Sequence, residues 1–225
     1  MTKTKATLIH LSLSIIVIGL FILTVLYIWY PQPFFAISGV IEPLKLLIIV
    51  DVIVGPLLTF IVYKKGKKNL KFDLSVIVIM QIVALIYGAF TIYSGRAGLL
   101  VVNNGQFYYL AEKFASNDEL QFAELKPSIF TPPKMAYMPS SNYLDVYSAY
   151  AEFVPLDSFE EMLLPYSLSV ANMQAQFSSK QEQIELLSKK YSTEDIVFFI
   201  LDKENIKYYV VFSIKQNRII DYLKF

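Results

Sequence analysis

Three apolar stretches, Leu8–Tyr30, Leu44–Tyr63 and Leu74–Tyr93, constrain this chain more than any other feature. A hydrocarbon core about 30 Å thick takes about 20 helical residues, and each stretch has that length. The first is interrupted only by His10, Ser12, Ser14, Gly19 and Thr24. It exceeds the roughly 7 to 15 apolar residues of a cleavable signal, and no small-x-small site follows, so it reads as a retained span. Trp29, Tyr30, Tyr63 and Tyr93 mark run ends, where amphipathic rings favour the headgroup level. The chain is 55% hydrophobic overall. Its apolar residues crowd before Tyr93, and the remainder has the mixed composition of a globular segment.

Charge sets the expected direction. Lys64-Lys65-Gly66-Lys67-Lys68-Asn69-Leu70-Lys71 lies between the second and third stretches, and a short basic loop is retained in the cytoplasm. Lys3 and Lys5 put the N-terminus on the same side, and the segment Pro31–Pro43, without Lys or Arg, faces out. The expected layout is a transmembrane domain over residues 1–94 with a cytoplasmic basic loop at 64–73, then an extracytoplasmic domain over 95–225, which is periplasmic if the membrane is a bacterial inner membrane. A formal net charge of +1 gives no pull toward nucleic acid, so membrane lipid is the expected environment and nucleic acid is not an expected partner. The absence of cysteine excludes disulfides, thiolate nucleophiles and zinc-thiolate sites.

Asp51 stands inside the second stretch. A carboxylate within a span costs about 2.5 kcal/mol or more, so it must face protein, water or a partner rather than lipid. Counted down from the outer ends, Thr24, Asp51 and Tyr87 share a depth and form an expected polar cluster. Gln81 lies deeper by roughly 7 to 8 Å, which requires tilt or a bridging water for contact. His10 falls near the inner face. Three readings of Asp51 compete: a hydrogen-bond hub, a docking point for another membrane helix, and a proton or ion relay, the last short of partner groups. Gly55-Pro56 frees a carbonyl near Val52 and opens a notch, which serves as a kink or receives a neighbouring helix.

After Arg96 the pattern becomes that of a small α+β domain with antiparallel strands. Asn103-Asn104-Gly105-Gln106 between Leu99–Val102 and Phe107–Leu110 predicts a hairpin. A short helix is expected over Asn117–Leu125, and Pro127, Pro132, Pro133 and Pro139 predict an irregular connection. Ser158-Phe159-Glu160-Glu161 has capping-box spacing for a helix that stops by Pro165. A longer helix over Ser169–Lys190 places Met173, Phe177, Ile184, Leu187 and Tyr191 on one face, and that stripe reads as core. Three strands near Asp195–Leu201, Lys207–Ile214 and Arg218–Leu223 form a meander. This segment has no histidine, Gly-rich phosphate loop or Gly-x-Ser-x-Gly elbow, and its paired acids sit where capping and solvation explain them. No catalytic residue, metal ligand or cofactor is expected.

The helical part resembles the type IV pilin accessory proteins, the TfpX/TfpZ family. The resemblance rests on Trp29-Tyr30-Pro31-Gln32-Pro33-Phe34, on Asp51 with Gly55-Pro56-Leu57-Leu58-Thr59, and on Phe72-Asp73-Leu74. Gln81, Ala84-Leu85, Tyr87-Gly88 and Gly95-Arg96 continue it. It implies an inner-membrane chaperone or accessory protein that binds and stabilises a cognate major pilin and promotes pilus assembly, without catalysis. Ala97 and Asn104-Gly105-Gln106-Phe107 depart from the family pattern as proline and Asp-Arg-Phe would stand there. The candidate sites are an intramembrane polar and packing group of Thr24, Asp51, Gly55, Pro56, Gln81 and Tyr87, and a membrane-interface group of Trp29, Tyr30, Pro31, Pro33, Phe34, Asp73 and Arg96. Two rival readings are a membrane-tethered sensor, for which the short N-terminus and basic loop offer no output domain, and a membrane enzyme, which needs converging acids or a nucleophile.

Overall fold

A computed structural model describes residues 2–115, 119–139, 146, 149–156, 164–203 and 206–224. The chain divides into two compact units, one of residues 1–31 with 35–96, the other of residues 32–34 with 97–225.

The first unit holds three helices long and apolar enough to cross a membrane: α1 (Lys3–Trp29), α2 (Ile41–Val62) and α3 (Leu70–Gly95). Thr2 caps α1 by accepting the Lys5 backbone N–H. The ladder widens to π-type bonding at Val25–Trp29 in α1 and at Ile49–Val54 in α2. The second widening has a local cause: Pro56 has no N–H to offer the carbonyl four residues back, and the register shifts just before it. α2 packs along both α1 and α3, and α1 and α3 meet at one end. There the Trp29 ring lies edge-on to Phe21 at 5.7 Å and to Tyr93 at 5.2 Å. The Tyr30 hydroxyl donates to the Ile92 carbonyl at 2.7 Å. Apolar side chains elsewhere point outward, with Leu20, Ile61 and Ile86 more than 60% exposed. Such a surface suits lipid and would aggregate in water. Beside α3, Lys67 pairs with Asp73 at 2.6 Å.

The second unit is built on a sheet of seven described strands: β1 (Ala97–Asn103), β2 (Gln106–Ala111), β3 (Lys134–Tyr137), β4 (Val154–Pro155), β5 (Ile196–Lys203), β6 (Ile206–Ser213) and β7 (Arg218–Lys224). Their order is β4-β3-β1-β2-β5-β6-β7. The β1–β2 hairpin turns at Asn104 and Gly105, with φ of 48° and 73°, the two left-handed positions a type I′ turn requires. β5, β6 and β7 make the expected antiparallel meander.

The expectation of antiparallel strands is corrected, because the sheet is mixed: β3 runs parallel to β1 and β2 runs parallel to β5. The proline-rich connection contains β3, which starts directly after Pro132-Pro133. Proline tolerates a strand start because its missing N–H costs no ladder bond there. β1 is buried along its whole length, as a central strand covered on both faces should be.

Two further expectations change. The long helix is broken into α4 (Val170–Gln176) and α5 (Gln181–Lys190). At the break Phe177 leaves helical geometry and turns its ring edge-on to Tyr209 at 5.1 Å. Met173, Ile184 and Leu187 still pack into one core with Ile196, Phe198 and Val211. Of the helix expected over Asn117–Leu125, the described part holds one 3-10 turn, Ala123–Leu125. The capping box at Ser158 lies outside the described residues. A second core gathers Leu99, Val101, Leu110, Ala136, Met138 and Phe153, and Phe107, Phe199 and Phe212 form an aromatic cluster.

Candidate functional site

Asp51 sits in the π-type segment of α2 and is 5% exposed. Its neighbour across the helix interface is Gln81 of α3, whose Nε2 donates to the Asp51 carbonyl at 3.2 Å and, at a long 3.4 Å, to Oδ1. Oδ2 has no hydrogen-bond partner among the described residues. Gly55 makes the approach of Gln81 possible, because a Cβ there would stand 2.0 Å from Gln81 Nε2. The Gly-Pro notch therefore holds a side-chain amide. Gly88 of α3 does the same for an aliphatic group, since a Cβ there would stand 2.5 Å from Leu47 Cδ1.

A second polar pair lies in the same bundle. His10 Nδ1 and Thr59 Oγ1 are 2.6 Å apart, and Thr59 and Ser14 are both buried. Asp51, His10, Ser14, Thr59 and Gln81 line one cleft of about 300 Å³, whose remaining walls are apolar side chains of α1 and α3. Asp51 also borders a smaller space of about 170 Å³ with Leu47, Tyr87 and Gly88.

The expected cluster of Thr24, Asp51 and Tyr87 is not what forms. The Thr24 hydroxyl donates to the Leu20 carbonyl of its own helix, and Tyr87 is 73% exposed. Straight helices with 3.6-residue turns would bring these three to one level, but the widened turn in α2 alters which α3 side chain stands opposite Asp51. Gln81 takes the place assigned to Tyr87. His10, expected far from Asp51, lines its cleft. Its signal was in the sequence: Ala6, His10 and Ser14 recur every four residues and lay a small and polar stripe along one face of α1.

Of the other predicted positions, Trp29 and Tyr30 pack where α1 meets α3, and Asp73 pairs with Lys67. The Arg96 guanidinium lies over the Tyr93 ring at 4.6 Å and is 1% exposed. Pro31 is half-buried and Pro33 buried, while the Phe34 ring faces Tyr109 within the second unit. Pro56 fixes the first turn after the widened segment. No group of three or more His, Cys, Asp or Glu placed to hold a metal occurs among the described residues.

Three helices fit to cross a membrane, a buried polar seam between them, and a mixed-sheet domain in the same chain define a membrane-associated protein of two units. Residues 1–39 match the family described as fimbrial assembly protein FimB. Three relatives from Dichelobacter nodosus are similar to half of this chain. The fimbrial assembly protein of serogroups C1 and C2 is 35% identical over 114 residues, which cover 50% of this chain and 87% of the relative. The serogroup I protein is 35% identical over 114 residues and the serogroup E1 protein 34%, each match covering 44% of the relative. The chain thus belongs to this family of fimbrial assembly proteins. The matched stretch spans less than half the length of the serogroup I and E1 relatives. No solved structure matches.

Proposed function

We propose that this protein is an inner-membrane accessory factor that binds a cognate type IV pilin, stabilises it before assembly and promotes its incorporation into the pilus, by binding rather than catalysis. The observation that carries this reading is the match to a fimbrial assembly protein over 87% of that relative's length, with the family's own pattern beginning on α1. In this reading the protein is of the TfpX/TfpZ type and acts as a chaperone for a major pilin.

Physics supplies a mechanism. A fimbrial subunit waiting in the membrane presents an apolar helix and an extramembrane head. A protein with a helical unit and a folded sheet unit engages both, and the second contact then forms at high effective concentration. Helix packing in lipid is weakly selective because tails are as apolar as leucine, so a folded head adds discrimination. In the proposed orientation the N-terminus and the loop at 64–73 are cytoplasmic and the sheet unit is periplasmic.

Co-purification from detergent tests the reading. Tagged full-length protein should recover pilin, and deletion of its gene should lower pilin level and surface pili, with recovery on complementation. Unchanged pilin level and piliation in the deletion strain, with no pilin recovered under crosslinking, would overturn it.

A further inference from the structure

The cleft beside Asp51 has walls from two helices and a floor from the third. Ala6 to Ile18 on α1 and Leu74 to Leu85 on α3 form the walls, and Asp51 and Thr59 of α2 lie at the bottom. At about 1.5 Å per residue the α1 wall runs about 18 Å, or about three helical turns. The rims are open: Ile9, Leu13 and Ile82 are half or more exposed and Val78 nearly so. The floor is polar and incompletely satisfied, because Asp51 is 95% buried and, among the described residues, Oδ2 has no partner and Oδ1 only a long bond from Gln81.

We propose that this cleft seats one transmembrane helix of a partner protein, and that the seated helix brings a hydrogen-bond donor to the Asp51 carboxyl. Three features select that occupant. The walls are apolar, about three turns long and flanked by helices, which is the shape a fourth helix of a bundle fills with side chains at i, i+3, i+4 and i+7. Ala6 and Ser14 line the cleft with small side chains, which let a neighbouring backbone approach closely. The unpartnered carboxyl oxygen favours a donor-bearing helix over an acyl chain as the completing occupant, since a lipid tail offers no donor and leaves the cost of a buried polar group standing. The matching partner is an apolar single-span helix carrying one serine, threonine, asparagine, lysine or free amine level with Asp51. This site rests on the proposed pilin binding and specifies where that binding occurs and which chemistry it selects.

The chain has no cysteine, so single cysteines report cleanly. Ile9→Cys, Leu13→Cys, Val78→Cys and Ile82→Cys place probes on the rims. Ile53→Cys and Leu57→Cys, exposed on α2 and outside the cleft lining, are controls. Each full-length variant is co-expressed with the fimbrial subunit carrying a cysteine scan along its membrane helix, and disulfides are formed in native membranes. Rim positions should give adducts on one face of the subunit helix, with at least tenfold less at the controls. If the subunit co-purifies but adducts favour the controls, form between two copies of this chain, or fail to form at the rims, the cleft is not the seat although the binding proposal survives. If no subunit is recovered by any route, both fail together.

The donor is tested separately. Asp51→Asn should retain subunit recovery, and Asp51→Leu, compared at equal protein yield, should lower it roughly three- to tenfold, the size of one interhelical hydrogen bond. Wild-type recovery with Asp51→Leu would overturn the donor contact. The rim crosslinks are measured with Asp51 intact, so they test the seat even if Asp51→Leu folds poorly.

Discussion

Asp51, Gln81 and Gly55 form a unit in which each residue has meaning only through the other two. The carboxyl is costly inside a span, by about 2.5 to 3.5 kcal/mol on insertion scales, and one interhelical hydrogen bond returns about 0.6 to 1.7 kcal/mol. Gln81 therefore offsets part of the cost of Asp51, and it reaches Asp51 only because position 55 has no Cβ. Gly55→Ala should destabilise the detergent-solubilised protein by about 1 kcal/mol, because the flexible amide moves aside and its bonds are lost. In a Gln81→Ala background the same change should cost much less, and thermal unfolding of the four proteins of that cycle measures the coupling. Additive effects would mean that Gly55 and Gln81 act independently. Gly105 is a different case. It combines a φ of 73° with a would-be Cβ 2.1 Å from Tyr166 Cβ, so backbone and space both refuse a side chain. Gly105→Ala should cost about 1 to 3 kcal/mol and lower the Tm of the sheet unit by several degrees, whereas Gly66→Ala, with nothing near it, should cost only its backbone strain.

The helical elements of the sheet unit show what periodicity can and cannot carry. The stripe through Met173, Ile184 and Leu187 was legible and packs as one core, yet the helix carrying it is broken at Phe177. Two serines follow the break, and their side chains compete for backbone hydrogen bonds, which lowers helix propensity where Phe177 gains a ring contact with Tyr209. Met173→Ala should cost about 2 to 5 kcal/mol, while Leu186→Ala, 59% exposed on α5, should stay within about 0.5 kcal/mol, and denaturant titration separates the two. Strand pairing follows the same division. The Asn104-Gly105 hairpin was readable because turn chemistry is local, and so was the β5–β7 meander. β3 was not, because its parallel partner β1 is more than thirty residues away and its prolines, at the strand's start, mask the strand signal. The cleft was legible only as separate residues. Which side chains of α1, α2 and α3 share one space depends on helix rotation, and the widened turns before Trp29 and Gly55 reset that rotation in a way hydropathy does not encode.

At the scale of the whole molecule, function depends on which side of the membrane each unit occupies, and the proposed orientation puts most of its weight on the lysines between α2 and α3. Positive charge near short loops sets direction, while acidic residues contribute little, so the Lys67–Asp73 pair does not cancel the signal. The aromatic end of α1 and α3 and the lysine-rich end then belong at opposite faces of one bilayer. Asn69→Cys in the loop and Glu182→Cys on α5 are both exposed positions in a chain without cysteine. With an impermeant maleimide on intact spheroplasts, Glu182→Cys should label at once and Asn69→Cys only after lysis. Replacing Lys64, Lys65, Lys67 and Lys68 with glutamine removes most of the retention signal while Lys3 and Lys5 remain, so a fraction of Asn69→Cys should then label from outside, with pilin recovery falling in proportion. Outside labelling of Asn69→Cys in the unaltered loop would reverse the orientation and leave the sheet unit on the wrong side to meet a pilin head.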